Sequence, residues 1–457
     1  MNDDNEIKLN KTLYWDKVDW DHNDYLKVSG GIRYIKAPVI VSIDETSTEN
    51  IDMSEQGAIF IEKGIQFVYT GTPVTVSVYK EIKKAPDAST STATGWYTIS
   101  SPVNNPNIIT STTLITSTSA PYNFDLLRYD EPSHYWESYT DNTYNGHTYS
   151  NLDNGRGYLY RHAQDVTVEF TGLTNNTVTY GVTNNGGDLP GFNLIGNPFT
   201  HNITLGNVSL SAGDALSGGY VLNKSGAWTA VTSSSDITPC QGVLVQVTEN
   251  ATATFSHSTG NSKSESDYVG FTVANSEYED VAYAMFDEGH GLNKISHLNE
   301  EIPMLYINRN DEDFAIATMD KDTKMFDLNF EAKTMGRYTL SVKPEGSYSY
   351  IHVYDKLANK DIDMLKDGKY EFIGSTADAA DRFVVRLGAT NGVDDEMFVY
   401  QSGNDIIVNG EGNLQVFDVM GRNIMNTTVN GVQSLNFKSH GVYIFKLNEK
   451  TQKIIVR

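Results

Sequence analysis

The side chains best suited to chemistry are the oxygen-rich loops and a pair of histidines. Residues 308–313 and 320–322 bring several carboxylates together, and carboxylate oxygens are ligands that Ca²⁺ prefers. Neither loop has the glycine and terminal glutamate of an EF-hand, and ordinary solvated turns use the same residues. His290 and His297 lie seven residues apart, a spacing that by itself specifies no metal site. Calcium is the one ion that the sequence suggests, and no other cofactor is expected.

Two aromatic groups offer a different chemistry, the binding of sugars. Trp15 and Trp20 alternate with acidic residues in 14–25, and Trp136 lies in the tyrosine-rich stretch 129–144. An aromatic ring has an apolar face that can stack on a sugar, next to carboxylates that accept hydroxyl protons. The alternative is an edge strand whose amphipathic aromatic side chains cover the end of a sheet. These three tryptophans are the candidate glycan-binding residues.

Residues for covalent or acid–base catalysis are not arranged in any recognisable motif. The sequence contains no Gly-x-Ser-x-Gly, His-Glu-x-x-His, P-loop or Gly-x-Gly-x-x-Gly segment. Cys240 has no histidine or basic residue beside it in the sequence, and is expected to be a small buried hydrophobic residue. The sequence therefore predicts a protein without enzymatic activity.

Composition narrows the classes of partner. The 457 residues include 58 acidic and 34 basic side chains, a net charge of −24. Such a charge repels nucleic acids and anionic lipid surfaces. No apolar stretch approaches 18 residues, so no transmembrane segment is expected. A single cysteine excludes an intrachain disulfide, and the first residues show neither the basic nor the apolar region of a signal peptide.

The elements that must position these residues are β-strands. Short runs of alternating apolar residues recur between turns rich in Gly, Asn, Asp and Ser, and no long amphipathic helix interrupts them. The prediction is an all-β chain of several antiparallel β-sandwich or Ig-like domains in series. The short N-terminal runs could also be the last rungs of a β-solenoid.

Composition shifts divide the chain into four units. The four units are an N-terminal β unit at 1–92, a duplicated β-sandwich region at 93–260, an antiparallel β-sandwich at 268–388 and an Ig-like unit at 397–457. A linker at 389–396 precedes the last unit. The duplication is visible in three pairs of segments: Gly95–Val103 with Gly191–Phe199, Trp136 with Trp228, and Gly157 with Gly242. The offsets between copies shrink from 96 to 92 to 85 residues, as shorter loops in the second copy would give.

The last 60 residues carry three blocks. A strand enters a turn at Asp418, Gly421 and Arg422; a second strand begins at Gly441 and contains Tyr443; a third strand contains Lys453 and ends the sequence. Ordinary hairpin chemistry in a seven-stranded Ig-like module explains these residues without any special function.

In combination, these blocks closely resemble the C-terminal sorting domain (type A) of the type IX secretion system. The family pattern is a strand with Asp-x-x-Gly-Arg, a strand with Gly-x-Tyr, and a terminal strand with Lys, which Asp418, Gly421, Arg422, Gly441, Tyr443 and Lys453 match in order. Upstream, the segment 191–199 resembles a motif of the non-enzymatic β modules that often precede this domain.

The resemblance implies a route and partners. Such proteins are exported by a cleavable signal peptide and then recognised at the outer membrane of a Gram-negative bacterium by a carrier of the secretion machinery. A sortase-like peptidase removes the sorting domain, and the remainder is attached to lipopolysaccharide or released. We expect the turn at Asp418–Arg422 and the terminal strand to be the recognised surface, and cleavage to fall in 389–397.

Three functions remain open at the level of sequence. The first is a secreted or cell-surface stalk, scaffold or adhesin with a type IX address. The second is the glycan-binding accessory region of a larger surface enzyme or adhesin. The third is a stand-alone structural protein whose last module is merely Ig-like.

Overall fold

The computed structural model describes residues 6–9, 26–29, 32–35, 39–43, 59–61, 67–68, 73–84, 93–117, 122–140, 149–187, 189–213, 215–257, 267–287, 289–388, 397–402, 405–437 and 440–456. Among these residues nearly every regular element is a strand, which confirms the all-β prediction. The chain divides into a first unit, 1–265 with 289–300, and a second unit, 266–288 with 301–457. The segment 289–300 therefore lies outside the unit that holds the rest of 268–388.

All but one of the described strand pairs in the N-terminal region are parallel. The strands are β1 (Glu6–Leu9), β2 (Leu26–Ser29), β3 (Ile32–Ile35), β4 (Val39–Ile43), β5 (Ile59–Ile61), β6 (Phe67–Val68) and β7 (Thr75–Ile82). One ladder runs β1-β4-β6 and another β3-β5-β7, the pairing that successive rungs of a solenoid make, with β2 antiparallel to β3.

Each copy of the duplicated region forms a four-stranded sheet, and the two sheets have the same strand order. The first copy contains β8 (Tyr97–Ser100), β9 (Phe124–Asp130), β10 (Tyr135–Ser138), β11 (Gly157–His162) and β12 (Val166–Leu173). Between the copies and within the second lie β13 (Thr177–Val182), β14 (Phe192–Gly196), β15 (Ile203–Thr204), a 3₁₀ turn (Leu205–Asn207), β16 (Ser209–Leu210), β17 (Gly218–Leu222), β18 (Trp228–Thr232), β19 (Asp236–Ile237), β20 (Gly242–Gln246) and β21 (Ala251–Ser256), followed by β24 (Leu292–Asn293). The order β10-β9-β11-β8 in the first sheet corresponds to β18-β17-β20-β14 in the second. Strand β12 extends the sheet that contains β3, β5 and β7 by pairing antiparallel with β7.

The two sheets pack against each other with an internal pseudo-two-fold relation. A Cβ on Gly157 would lie 2.5 Å from the carbonyl oxygen of Ile195, and one on Gly242 would lie 2.9 Å from that of Ile99. Gly157 and Gly242 are equivalent in the two copies, as are Ile99 and Ile195, so each copy makes the same contact with the other. Glycine allows this close approach because it has no side chain. The duplication therefore folds as an internal dimer with a reciprocal interface.

The second unit begins with a large sheet. Its elements are β22 (Tyr268–Ala274), β23 (Glu279–Met285), β25 (Met304–Arg309), β26 (Glu312–Thr318), β27 (Met325–Glu331), β28 (Gly336–Glu345), β29 (Ile351–Asp355), β30 (Lys360–Asp363), the short helix α1 (Met364–Asp367), β31 (Lys369–Gly374) and β32 (Phe383–Leu387). Their order is β30-β29-β32-β27-β25-β26-β23-β22-β28-β31. The sheet curves so that Phe372 on β31 contacts Phe383 on β32, with ring centroids 5.2 Å apart. The sequence predicted an antiparallel sandwich at 268–388, and the described residues there form one continuous curved sheet in which β23 and β26 pair in parallel. We keep the name sandwich for this body.

The C-terminal module follows, with β33 (Val399–Ser402), β34 (Asp405–Asp418), β35 (Asn423–Asn436), β36 (Gly441–Leu447) and β37 (Lys450–Val456). Its described residues form five strands, fewer than the seven of the ordinary Ig-like module considered as the alternative. The physical reason is that β34 and β35 are each 14 residues long and pair along their whole length, where the sequence suggested shorter strands. Gly410 and Gly412 lie in the middle of β34 with φ of 152° and 132°.

Candidate recognition surface of the C-terminal module

The turn between β34 and β35 explains three of the motif residues. One carboxylate oxygen of Asp418 accepts hydrogen bonds from the amides of Met420 (2.9 Å) and Arg422 (3.0 Å). The other accepts one from Nε of Arg422 at 2.7 Å. Gly421 has a φ of 76°, in the left-handed region that favours glycine. Asp, Gly and Arg at this spacing therefore build and close the turn.

The same hydrogen bonds determine the ionisation of Asp418. The bond from the amide of Arg422, supported by the guanidinium and by the amide of Met420, holds the pKa of Asp418 below its ordinary value of 3.8. The carboxylate is therefore charged at neutral pH. The guanidinium of Arg422 stays largely exposed to solvent beside it. Because one edge of this guanidinium is used within the turn, its role is partly structural, which the sequence did not indicate.

The other motif residues lie at the same end of the sheet. Asp418 pairs in register with Tyr443 on β36, which in turn pairs with Ile454 on β37. Gly441 pairs with Val456 at the end of β37. Lys453 pairs with Ile444 and is exposed. All three sequence blocks therefore meet at one end of a three-stranded part of the sheet.

The buried face of this end forms the core of the module. Tyr443 is buried, and its ring centroid lies 5.0 Å from that of Phe437. Side chains alternate along a strand, so Phe445 and Val416 point to the same side and are buried too. Tyr443 is therefore a core residue that helps to position the strands.

The outward face of the same end is apolar where an exposed face would normally be polar. Phe417, Ile444 and Lys453 form one row across three strands, and Val442 and Ile455 form the next. Ile455 is 53% exposed, and Val419 and Met420 at the turn are also exposed. The outward patch is defined by Phe417, Val419, Met420, Val442, Ile444 and Ile455. Phe417, Val442 and Ile444 are half-buried, and a contiguous patch of partly and fully exposed apolar residues is typical of interaction surfaces.

Charge distinguishes the module from the rest of the chain. Residues 397–457 contain six basic and four acidic side chains, a net charge of +2, while residues 1–396 carry 28 and 54, a net charge of −26. Lys453 lies in the same row as Phe417 and Ile444, and Arg422 lies at the turn, where it is paired with Asp418. The outward patch is thus an apolar surface bordered by the cationic Lys453 and by the Asp418–Arg422 ion pair, on a protein that is otherwise acidic.

Sequence reasoning identified the motif but missed the outward patch. The signal is present in the sequence, because Val442 and Ile444 interleave with the buried Tyr443 and Phe445, so both faces of β36 are apolar at this end. A strand with one face in water usually alternates apolar and polar residues. The departure from alternation was the available clue.

The candidate glycan-binding tryptophans are separated in the chain. Trp15 and Trp20 lie outside the described residues. Trp136 is half-buried on strand β10, at the edge of its sheet, and its ring centroid lies 5.0 Å from that of Tyr129. Its equivalent in the second copy, Trp228, is buried. The two copies therefore use the same residue type differently.

The other residues considered for chemistry, a cysteine, a histidine and an acidic loop, are part of the packing and turns of the fold. Cys240 is fully buried in a hydrophobic cluster, and burial raises the pKa of its thiol to about 12. Nδ1 of His297 accepts a hydrogen bond from the amide of Trp228 at 3.1 Å. Asn310 and Asp311 form the tight turn of the β25–β26 hairpin, both with positive φ. Within the described parts of the chain, no three His, Cys, Asp or Glu side chains are grouped as a metal site would need.

One buried carboxylate connects the two copies of the duplicated region. Glu131, at the end of β9, accepts hydrogen bonds from the amide of Asn185 (2.7 Å), its side chain (2.8 Å), the hydroxyl of Thr183 (2.7 Å) and the amide of Gly191 (3.3 Å). Burial alone would raise the pKa of Glu131, but these donors outweigh it and hold the pKa below its ordinary 4.5.

A buried and a half-buried histidine contact each other in the second copy. Nε2 of His201 is 2.7 Å from Nδ1 of His257, and their outer nitrogens lie 2.7 and 2.8 Å from the carbonyl oxygens of Asn202 and Asn175. Two neutral rings carry two N–H groups, so a third proton is required to make all three contacts hydrogen bonds. Burial opposes that proton, and it lowers the pKa of His201 to about 4.

Comparisons with known proteins give no relative: no protein-family model, curated protein or solved structure matches the chain. No helix among the described residues is long and apolar enough to span a membrane. The function is therefore inferred from the residues of this chain and their geometry.

Proposed function

We propose that the protein is a non-enzymatic β protein, secreted or displayed at the cell surface, whose C-terminal module directs its export by the type IX route. An outer-membrane carrier recognises the module, and a sortase-like peptidase cuts within 389–396, a segment outside the described residues. The remainder, including the duplicated region, then acts as a stalk, scaffold or adhesin, attached to lipopolysaccharide or released.

One observation carries this proposal. The six motif residues, which are separated by up to 35 positions in the sequence, gather at the end of the sheet that bears the outward patch. An address that a carrier reads on a folded domain needs a fixed and accessible surface. An apolar surface bordered by a lysine fits a carrier that offers apolar side chains beside a carboxylate.

The test is secretion of point variants from the native cell. Ile455→Ser removes an apolar side chain from the outward patch, and Ile373→Ser is a matched control on β31 of the sandwich, with exposures of 53% and 55%. We expect the first variant to accumulate inside the cell and the second to be exported normally. Equal export of both, or normal export after deletion of 453–457, would contradict the proposal.

A second candidate function is glycan binding through Trp136. It is favoured by the contrast between the two copies, because the fold buries Trp228 but leaves Trp136 half-exposed at a sheet edge. A glycan array probed with the purified protein and with Trp136→Ala tests it. Binding that disappears in the variant supports this function, and an array without binding counts against it.

A further inference from the structure

The C-terminal module is not a loosely tethered domain in the second unit, because a shared apolar cluster connects it to the sandwich. Tyr354 and Val384 of the sandwich pack with Tyr400 and Ile407 of the module, and all four are buried. The rings of Tyr354 and Tyr400 meet edge to face, with centroids 5.8 Å apart. Domains joined by a buried apolar interface of this kind move together, whereas most tethered domains move independently.

A buried ionic network lies beside this cluster. Asp361 and Arg386 are 2% and 0% exposed at their side chains, and they form an ion pair within the sandwich. Nδ1 of His352 lies 3.2 Å from the second carboxylate oxygen of Asp361. Arg386 and His352 of the sandwich therefore both contact this carboxylate.

The module completes the network. Nδ2 of Asn409 donates a hydrogen bond to Asp361, and the guanidinium of Arg386 donates one to the carbonyl oxygen of Met397. The guanidinium carbon of Arg386 also lies 4.2 Å from the centroid of the Tyr400 ring, a cation–π contact. Without the module, a buried ion pair would lose three of its contacts, and breaking such a network is costly.

We propose that this face of the sandwich is a binding site for the C-terminal module that persists after the chain is cut between residues 388 and 397. The face consists of Tyr354, Asp361, Val384 and Arg386, and its occupant is the module of the same chain. Cleavage alone would then leave the two pieces associated, and release would require a competing partner. This inference concerns the purified protein and does not depend on export.

The cut module stays on the sandwich only if the two pieces bind each other tightly enough without the linker. An intact linker holds the two pieces at an effective concentration of the order of 1 mM, whereas after cleavage they must bind at their bulk concentration. Retention of most modules at about 10 µM protein therefore requires a Kd of about 1 µM or tighter. The interactions that would supply this affinity are the four apolar residues, two on each side, and the two hydrogen bonds and one cation–π contact across the interface.

The experiment uses the full chain with a site-specific protease sequence, flanked by glycine and serine, inserted between residues 392 and 393. After complete cleavage, shown on a denaturing gel, the protein is analysed by size-exclusion chromatography at about 10 µM. We expect both fragments to elute together at the position of the uncut protein. Separate elution of the 397–457 fragment would overturn the proposal.

A matched pair of variants tests which contact holds the module. Asn409→Asp replaces the side-chain amide by a carboxylate of nearly the same shape. This places a second carboxylate against that of Asp361, and like charges in contact repel strongly. Asn426→Asp makes the same change at an exposed position of β35 in the same module. We expect the first to weaken association of the cut protein at least about tenfold and the second to have no effect. Equal behaviour of the two, with circular dichroism showing both folded, would overturn the assignment of Asp361 and Asn409 to this interface.

Discussion

The reciprocal contact between the two copies of the duplicated region predicts an unusual pattern of alanine substitutions. In Gly157→Ala, the new Cβ would lie 2.5 Å from the carbonyl oxygen of Ile195 and 2.7 Å from Cγ of Leu194. Neither neighbour is the end of a flexible side chain on the surface, so the two sheets must separate by several tenths of an ångström. In Gly242→Ala, the nearest atom is the carbonyl oxygen of Ile99 at 2.9 Å, so the required shift is smaller.

The magnitude follows from the cost of overpacking. Extra volume in a packed interior costs typically about 1–3 kcal/mol, and the restricted unfolded chain returns about 0.5 kcal/mol of it. We therefore expect Gly157→Ala to lower the free energy of unfolding by about 2 kcal/mol and Gly242→Ala by about 1 kcal/mol. For a unit of this size, a loss of 2 kcal/mol corresponds to a decrease in Tm of about 4–8 °C.

The double variant distinguishes a shared interface from two independent sites. A Cβ on Gly242 would lie 3.4 Å from Cα of Gly157, so both substitutions push apart the same pair of sheets. Separation caused by the first substitution makes room for the second, and the double variant should therefore lose less stability than the two single losses together.

The assay is urea and thermal unfolding followed by fluorescence, with Gly181→Ala as control. A Cβ on Gly181 would meet no atom within 4 Å, so this variant should be as stable as the original protein or slightly more stable. If Gly157→Ala were as stable as Gly181→Ala, or if the two interface losses were fully additive, the pseudo-two-fold packing described above would be refuted.

Three further predictions concern titration and the motif glycines. Because the pKa of Glu131 is lower in the folded protein than in the unfolded chain, its stabilisation is present above about pH 4.5 and is lost as the pH falls through the folded pKa; Glu131→Gln should flatten that part of a stability–pH curve. Burial lowers the pKa of His201 from 6.5 to about 4, so between these pH values the unfolded chain binds more protons than the folded protein. Lowering the pH from 6.5 to 4 should therefore reduce the free energy of unfolding by at most about 3 kcal/mol, and His201→Gln should remove this dependence. Gly421→Ala places a side chain at φ 76° and should cost about 1 kcal/mol, whereas Gly441→Ala, whose Cβ would lie 3.5 Å from Tyr443, should fold normally in thermal melts.

The sequence predicted the class of fold because alternation of apolar residues is a local signal. The repeat was also visible, since residues such as Gly157 and Gly242 must be glycine in both copies for the sheets to meet. The close packing itself could not be predicted, because it depends on which sheet faces which. For the same reason the sequence did not show that the segment 289–300 belongs to the first unit.

The C-terminal motif shows where sequence reasoning stops. Asp418 and Gly421 were identified as turn residues from their types alone, and the structure places them in that role. The outward patch depends on which strands lie side by side, and the contact of Asn409 with Asp361 joins residues 48 positions apart. Long-range contacts between polar residues leave no periodic signal in a single sequence.

The central claim is that the C-terminal module is a cleaved address. The most direct test is mass spectrometry, under denaturing conditions, of the protein recovered from the surface of its native cell, with identification of the C-terminal peptide. Denaturation separates a module that is still bound after cleavage, so retention and processing are measured independently. We predict that the mature chain ends within about residues 388–400. An exported protein that still ends at Arg457 would contradict the account.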